Sequence, residues 1–193
     1  MKRISIAVAE HGQTEYDKQH RVHGDTDSPL TETGKKQAAA LGKRVSHMVP
    51  SPDRIYTSPL KRTVQTAKIA GKVAGIPVEV ADGLKSLDVG KYRGIGEKDA
   101  SKHLKEYFDH PDKPIPGAHG ETVAGWRERV KQTMDRIAQK SEEAGEHPMA
   151  VTHSNVSGAI EAMAEGKEDG LKKMQNPPPN GSYRMVRYPL GKH

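Results

Sequence analysis

Residues 4–12 have the sequence ISIAVAEHG, in which a run of small apolar residues leads into His11 and a glycine. The length and apolar content of residues 4–9 predict a buried strand, and the glycine permits a tight turn after it. A second apolar run, at residues 148–152, predicts another buried strand, which ends at His153. Ligands of open α/β sheets bind at the carboxyl ends of strands, so we expect the two histidines to share one site. The alternative is that each is an isolated surface or capping residue.

Predicted strands and helices alternate along the chain. Apolar runs predict strands at residues 3–9, 54–57, 78–81, 148–152 and 182–188. Capping and periodicity predict a helix that opens at Thr31 and further helices at residues 59–74, 97–109, 122–144 and 155–164. This order predicts an α/β fold, a three-layer α/β/α sandwich around a mostly parallel sheet. The length of 193 residues fits one domain over residues 1–193.

Two segments break the regular pattern. Residues 84–122 are irregular and rich in glycine, proline and charge, apart from the helix at 97–109. A connection of this length is unusual in a compact domain, so we expect a lid or insertion over the site. The run NPPPNG at residues 176–181 predicts a rigid turn before the last strand.

The composition excludes several kinds of protein. The chain has no cysteine, which rules out disulfides, thiolate metal sites and a cysteine nucleophile, and fits a cytoplasmic protein. No apolar stretch approaches the ~20 residues of a membrane span, and the N-terminal run is too short for a signal peptide. The net charge is +6, but basic and acidic residues are interleaved and no aromatic platform lies among them. We therefore do not expect nucleic-acid binding as the main function.

A possible anion site lies at residues 58–67, which have the sequence SPLKRTVQTA and follow a short predicted strand. Ser58 is placed to cap a helix, and Pro59 suits a helix's first turn. The free backbone N–H groups at such an end favour an anion, and Arg62, one turn later, can donate to a phosphate. The alternative is an ordinary capped helix whose arginine faces solvent.

With these features in place, the sequence resembles the histidine phosphatase superfamily, also called phosphoglycerate-mutase-like. The family's Arg-His-Gly aligns with residues 10–12, and its Ser-Pro-Leu-x-Arg-x-x-Gln-Thr-Ala signature is matched fully at 58–67. Further matches are Arg21, Gly24, Asp27, Pro29-Leu30-Thr31, Gly34, Gln37-Ala38, residues 116–122 and residues 151–153. The resemblance covers nearly the whole chain.

The resemblance implies a chemistry for these residues. His11 would attack phosphorus and form a phosphohistidine, while Arg62 and, if it is protonated, His153 would neutralise the phosphoryl oxygens. It implies a small phosphate monoester as the substrate, and neither a cofactor nor a metal. No His-x-x-x-His or similar cluster suggests a metal site either. The remaining residues expected to bind the substrate or its phosphate are Glu10, Gly12, Thr14, Arg21, Glu121 and Ser154.

Three positions depart from the family pattern. Glu10 stands where the family has arginine, Asp17 where it often has asparagine, and Ser86 where it has the acidic glutamate. A glutamate in place of the arginine changes attraction for phosphate into repulsion, at roughly 3 kcal/mol per unit-charge pair at ~5 Å and an effective dielectric constant of ~20. Three remedies are open. Glu10 pairs with Arg21 or another base, it is protonated, or it receives a cationic or hydroxyl group of the substrate.

Serine has no useful acidity near neutral pH, so the reaction needs an acid other than Ser86. Asp88 is the first candidate, because a residue two positions along an extended segment lies on the same face. Glu121 and His119 are the next candidates. The alternatives are that Asp88 is a turn residue and that His119 is an ordinary loop histidine.

Several functions remain open at this point. The leading one is a metal-independent phosphatase that hydrolyses a small phosphate monoester through His11. The alternative is a catalytically impaired pseudophosphatase that binds a phosphorylated ligand or partner. A mutase that needs a bisphosphate to charge His11 is a further possibility, and a nucleic-acid binder is the last. The sequence leaves the substrate and the oligomeric state open.

Overall fold

The structure is a computed structural model that describes residues 2–119, 121–167 and 178–191. In chain order, the strands are β1 (Arg3–Glu10), β2 (Arg54–Thr57), β3 (Val78–Val80), β4 (Pro148–Thr152) and β5 (Tyr183–Pro189). The helices are α1 (Glu15–Lys18), α2 (Glu32–Ser46), α3 (Lys61–Ala74), α4 (Glu97–Asp109), α5 (Val123–Ala144) and α6 (Ser154–Ala164). Two short 3-10 helices lie at Asp82–Leu84 and Gly90–Tyr92.

The sheet is mostly parallel, as predicted. Its strand order is β3-β2-β4-β1-β5, and only β5 runs antiparallel to its neighbour. In the register, Glu10 lies opposite Thr152, and Thr57 lies opposite Val151. The carboxyl ends of β1, β2 and β4 therefore meet at one edge. This edge places the residues that follow the three strands side by side.

Two apolar clusters cover the two faces of the sheet. Side chains alternate between the faces of a strand, so Ile6 and Val8 of β1 lie in one cluster and Ala7 and Ala9 lie in the other. The first cluster includes Trp126, Val130 and Met134 of α5 and Val156 and Ile160 of α6. The second includes Leu41 and Val45 of α2 and Ala67 and Ala70 of α3. The fold is therefore the predicted three-layer α/β/α sandwich.

Helix starts were predicted well at α2 and α5 but not at α3. The side chains of Thr31 and Thr122 cap α2 and α5 by accepting from Gly34 and Gly125, respectively. Helix α3 begins at Lys61 with Leu60 as the N-cap residue, so the expected capping by Ser58 and the first-turn place of Pro59 are wrong. The Ser58 hydroxyl is instead bonded to His153, and a carboxylate oxygen of Asp27 accepts from the Lys61 backbone N–H at 2.8 Å.

The segment at residues 84–122 contains α4 at the predicted position, and eight of its residues from Ser86 to Phe108 line the cavity described below. Helix α1 was not predicted, because four residues are too few to show a helical period. Part of the turn expected at residues 176–181 lies outside the described residues. None of the helices within the described ranges is long and apolar enough to cross a lipid bilayer.

A close contact between two glycines joins β1 to α2. A Cβ atom on Gly34 would lie 2.1 Å from the backbone oxygen of Gln13, and one on Gly12 would lie 2.4 Å from that of Gly34. We expect Gly34→Ala to lower the free energy of unfolding by about 1–3 kcal/mol, because backbone must move to admit the methyl group. Chemical denaturation measures this change. Gly191→Ala, where a Cβ atom would meet nothing within 4 Å and which lies outside the helices and strands, is the control and should change it by less than about 0.5 kcal/mol.

Candidate active site

A cavity of about 680 Å³ lies at the shared edge of the parallel strands. Its lining includes Glu10 at the end of β1, His11 directly after it, Arg62 on α3, and His153 and Ser154 after β4. The ring centroids of His11 and His153 are 5.5 Å apart. The two histidines therefore share one site, as their positions at strand ends predicted.

His11 is held in a form suited to nucleophilic attack. Its Nδ1 lies 2.9 Å from the backbone oxygen of Gly12, so the proton on Nδ1 donates to that carbonyl and the lone pair is on Nε2. Burial and the charge of Arg62 lower the pKa of His11 to about 3. The imidazole is therefore neutral at physiological pH.

Arg62 is buried rather than facing solvent. Its Nη1 donates to the backbone oxygen of Thr26 and its Nη2 to that of Gly24, both at 2.8 Å. These bonds fix the guanidinium, while Nε is buried and has no hydrogen-bond partner among the described residues. Burial lowers the pKa of Arg62 to about 10, which leaves it charged at neutral pH. The side chain thus retains a donor for an anion.

His153 is neutral in the free protein, so the protonated form on which its charge-neutralising role depends is not present there. Burial, Arg62 and His11 lower the pKa of His153 well below its ordinary value. Its Nε2 lies 2.8 Å from the Ser58 hydroxyl, and its buried Nδ1 has no partner within the described ranges. If the hydroxyl donates to Nε2, the proton resides on Nδ1. A neutral His153 then still offers one N–H to a ligand.

Glu10 is the unusual member of the cavity. Its side chain is buried, and Oε1 lies 3.7 Å from Nε2 of His11. The other oxygen, Oε2, is buried without a hydrogen-bond partner in the described part of the chain. Burial and the charge of Asp17 raise the pKa of Glu10 well above its usual value, while Arg62 and the backbone N–H of Ser154 act in the opposite direction. The protonated carboxyl is therefore stabilised relative to that of an exposed glutamate.

Arg21 does not form an ion pair with Glu10 that would neutralise its charge. Its guanidinium lies 5.0 Å from the centre of the Tyr16 ring and donates to the backbone oxygen of Gly94. Arg21 does line the cavity, at its exposed side. Of the three remedies for the repulsion, pairing of Glu10 with Arg21 is therefore wrong, and protonation is the one that the surroundings of Glu10 favour.

The structure does not place Asp88 or Glu121 in the cavity. The Asp88 carboxylate accepts from the backbone N–H of Gly90 at 2.8 Å and from Arg93. Glu121 accepts from the Asp88 backbone N–H at 2.9 Å and from Arg129. Neither lines the cavity, so the structure does not bring Asp88, predicted as the acid, or Glu121, predicted to bind the ligand, to the residues around His11. The prediction assumed an extended segment, whereas the chain curls into a 3-10 helix at Gly90–Tyr92 and turns the Asp88 carboxylate onto it.

Other expected residues have structural contacts instead. The Gly12 N–H donates to Thr66 Oγ1 at 3.0 Å and is not available to a phosphate. Thr14 caps α1 and is fully buried, and its hydroxyl is hydrogen-bonded to the Asp17 carboxylate and to Nε2 of His23. Both expectations of phosphate binding are corrected by these contacts, because neither residue lines the cavity. The exposed His119 does not line it either.

His23 is a cavity residue that sequence reasoning missed. Its Nε2 lies 2.6 Å from the Thr14 hydroxyl, and its ring centroid lies 5.7 Å from that of His11. Burial and Arg62 lower the pKa of His23 to about 3. It lies in an irregular loop whose sequence gave no sign of its position. Among residues 2–119, 121–167 and 178–191, no three His, Asp or Glu side chains are placed to hold a metal ion.

The lowered pKa values make stability depend on pH. In the unfolded chain His11, His23 and His153 take up protons near pH 6.5, whereas the folded protein holds them neutral. Stability is thus fully present above this pH and is lost below it, by up to about 1.4 kcal/mol per pH unit for each histidine. The pKa of Glu10 is raised in the folded protein, so its protonation adds stability as the pH falls and offsets the contribution of about one histidine. We expect urea denaturation to give a lower free energy of unfolding at pH 5.5 than at pH 7, and an unchanged or higher value would contradict these assignments.

Comparisons with known proteins identify the family to which the chain belongs. A protein called metal-independent phosphoserine phosphatase from Arabidopsis thaliana is 33% identical over 162 residues, which are 80% of this chain and 66% of that protein. A probable phosphoglycerate mutase GpmB from Photorhabdus laumondii is 30% identical over 81% of this chain and 73% of its own. The solved structure of YhfR from Bacillus stearothermophilus superposes with a TM-score of 0.76 at 27% identity, over 94% of this chain and 90% of that one. The family model of the histidine phosphatase superfamily (branch 1) matches residues 6–192, and the chain therefore belongs to that superfamily.

Proposed function

We propose that the protein is a phosphatase that hydrolyses a small phosphate monoester through a phosphohistidine on His11, without a metal ion. One observation carries the proposal. Of the seven buried side-chain polar atoms without a partner among the described residues, three lie on Glu10, Arg62 and His153, and all three of these side chains line the cavity of His11. Buried polar groups are rarely left unsatisfied, so a cluster around a neutral imidazole suggests that a polar ligand completes it.

The arrangement supports a two-step displacement. Nε2 of His11 attacks phosphorus and releases the alcohol, and water then attacks the phosphohistidine. Arg62 supplies a fixed positive charge, and the Nδ1–H of His153 supplies a neutral donor, to the oxygens on which charge is spread during transfer. The cavity of about 680 Å³ is of a size suited to a small molecule.

The relatives support an enzyme over a binding protein. Those described above are called a phosphatase and a probable mutase, and they give no support to the alternative of an impaired pseudophosphatase. The neutral His11 and the positioned Arg62 also count against a decayed site, because the fold alone does not require them. A mutase differs from a phosphatase in the acceptor: it would transfer the phosphoryl group to a second hydroxyl and would need a bisphosphate to charge His11.

Phosphate release tests the proposal. We expect the protein to release inorganic phosphate from p-nitrophenyl phosphate and from at least one monoester of a metabolite panel, with EDTA present throughout. Product analysis of the same reactions separates hydrolysis from transfer. Failure to release phosphate from any ester would contradict the proposed function, and phosphoryl transfer without phosphate release would assign the protein as a mutase.

A further inference from the structure

The proposed reaction lacks one component, a group that protonates the leaving oxygen. Position 86, where the family has its acidic glutamate, is a serine, which has no useful acidity near neutral pH. The carboxylates of Asp88 and Glu121 are bonded to Arg93 and Arg129, respectively, outside the cavity. The acid must therefore come from another part of the cavity lining.

Among the described residues, three carboxyl groups line the cavity, on Glu10, Asp17 and Glu97. Glu97 is exposed and lies 4.0 Å from His20. Asp17 is held by the backbone N–H and hydroxyl of Thr14, and it lies 3.9 Å from Nδ1 of His11, the nitrogen that does not attack. Glu10 alone of the three approaches Nε2, at 3.7 Å, where the phosphoryl group must bind.

The backbone of Glu10 is held by hydrogen bonds, and one oxygen of its carboxyl has no partner among the described residues. Its backbone N–H donates to Ser182, its backbone oxygen accepts from Gly181, and β1 pairs with β4 at this residue. Because Oε2 is buried without a partner among the described residues, a proton on it has no competing acceptor in the protein. A substrate oxygen in the cavity would be its first acceptor.

Substrate binding itself selects the protonated form. An ionised Glu10 would oppose a phosphate dianion beside His11, whereas a neutral carboxyl can donate to it. Burial and Asp17 already raise the pKa of Glu10 in the free protein, so this form needs no large rearrangement. The charged and titratable groups around it are His11 at the end of its own strand, Asp17 on α1, Arg62 on α3, His153 after β4 and Arg184 on β5.

We propose that Glu10 is the general acid and base of this reaction, in place of the family's glutamate at position 86. This proposal rests on the proposed function. As the Nε2–P bond forms and the P–O bond breaks, the proton of Glu10 passes to the leaving alcohol oxygen. The Glu10 carboxylate then takes a proton from the attacking water while the new P–O bond forms and the N–P bond breaks. Phosphate leaves, His11 is neutral again and Glu10 is again protonated.

The test compares leaving groups in Glu10→Gln, which keeps the shape of the side chain and removes the transferable proton. p-Nitrophenolate leaves without protonation, whereas the alcohol of glycerol phosphate needs it. We expect kcat/KM for glycerol phosphate to fall by about 10²–10⁴-fold, and that for p-nitrophenyl phosphate by less than about tenfold. Glu97→Gln, the same substitution at the exposed part of the cavity, is the matched control and should leave the ratio of the two substrates unchanged.

Restoring an acid at the family's position makes the test stricter. We expect Ser86→Glu, added to Glu10→Gln, to recover at least about tenfold of the lost activity toward glycerol phosphate. If Glu10→Gln does not fold, the wild type gives the answer. Its activity toward glycerol phosphate should then fall relative to that toward p-nitrophenyl phosphate as the pH rises and Glu10 loses its proton.

Each outcome bears on one claim. Equal losses for both substrates in Glu10→Gln, no loss for either, or a pH-independent ratio in the wild type would overturn the role of Glu10. The proposed function would stand in all these cases, provided that phosphate release still depends on His11. A wild type that releases phosphate from no ester would instead remove the proposed function and, with it, this role of Glu10.

Discussion

Replacing His11 with alanine should abolish phosphate release, with a fall in kcat/KM of at least ~10⁴-fold for every ester that the wild type hydrolyses. The reason is that Nε2 of His11 is the atom that forms the bond to phosphorus. The lone pair of Nε2 is free to attack phosphorus for two reasons. The proton of the ring lies on Nδ1, which donates to the Gly12 carbonyl, and burial and Arg62 lower the pKa of the ring to about 3, so Nε2 is not protonated. Steady-state assays with p-nitrophenyl phosphate measure the effect.

The control for this variant is His47→Ala, which removes an exposed histidine at the end of α2 that does not line the cavity. It should retain full activity. Circular dichroism and chemical denaturation establish that His11→Ala is folded. A folded His11→Ala that keeps more than about a tenth of the wild-type activity would contradict attack by His11.

Replacing Arg62 with lysine should produce the second largest loss, about 10²–10³-fold in kcat/KM, although the positive charge is kept. Arg62 uses two nitrogens to hold the carbonyls of Gly24 and Thr26 and still has a buried Nε–H to donate. A lysine is a single point charge that cannot make these contacts together. The planar group, rather than the charge alone, is therefore what the site needs.

Arg62→Met tests the charge as well and should lose more activity than Arg62→Lys. Lys61→Met is the matched control, because the neighbouring side chain is exposed and lies outside the cavity lining. It should stay within about threefold of the wild type. Activity of Arg62→Lys equal to that of the wild type would show that a point charge suffices and would contradict the positioning described above.

Much of the fold could be predicted because local sequence patterns indicate its strands and helices. The apolar runs at 4–9 and 148–152 are long enough to identify buried strands, and the parallel pairing of β1 with β4 brings the ends of both runs together. His11 and His153 therefore came into one site through strand geometry alone. Arg62 was predicted to lie one turn into a helix after a strand; α3 begins at Lys61, so Arg62 lies in its first turn, and it still lines the cavity.

The errors in the site arise where side-chain direction depends on tertiary contacts. Asp88 was assigned to the cavity from its spacing, but Arg93 and a turn of 3-10 helix hold it elsewhere. His23 was overlooked because no local pattern fixes the loop between β1 and α2. Thr14 and Asp17, which hold that loop, act through hydrogen bonds across a short helix that periodicity does not detect.

Glu10 shows most clearly what the sequence alone leaves undecided about the site. Its residue type suggests repulsion of phosphate, and the sequence left three remedies open. Only the structure distinguishes them, because burial, the placement of Arg21 against Tyr16 and the unpartnered Oε2 are properties of the folded chain. Together they favour a protonated carboxyl next to the attacking nitrogen.

Trapping the covalent intermediate tests the central claim most directly. The wild type is mixed rapidly with a substrate that it hydrolyses, quenched with base, which phosphohistidine withstands, and measured by intact mass and peptide mapping. We expect a fraction of the protein to carry one additional phosphoryl group, located on His11 and lost in His11→Ala. Steady turnover with no phosphorylated protein at any quench time, or with the phosphoryl group on another residue, would contradict catalysis through phosphorylated His11.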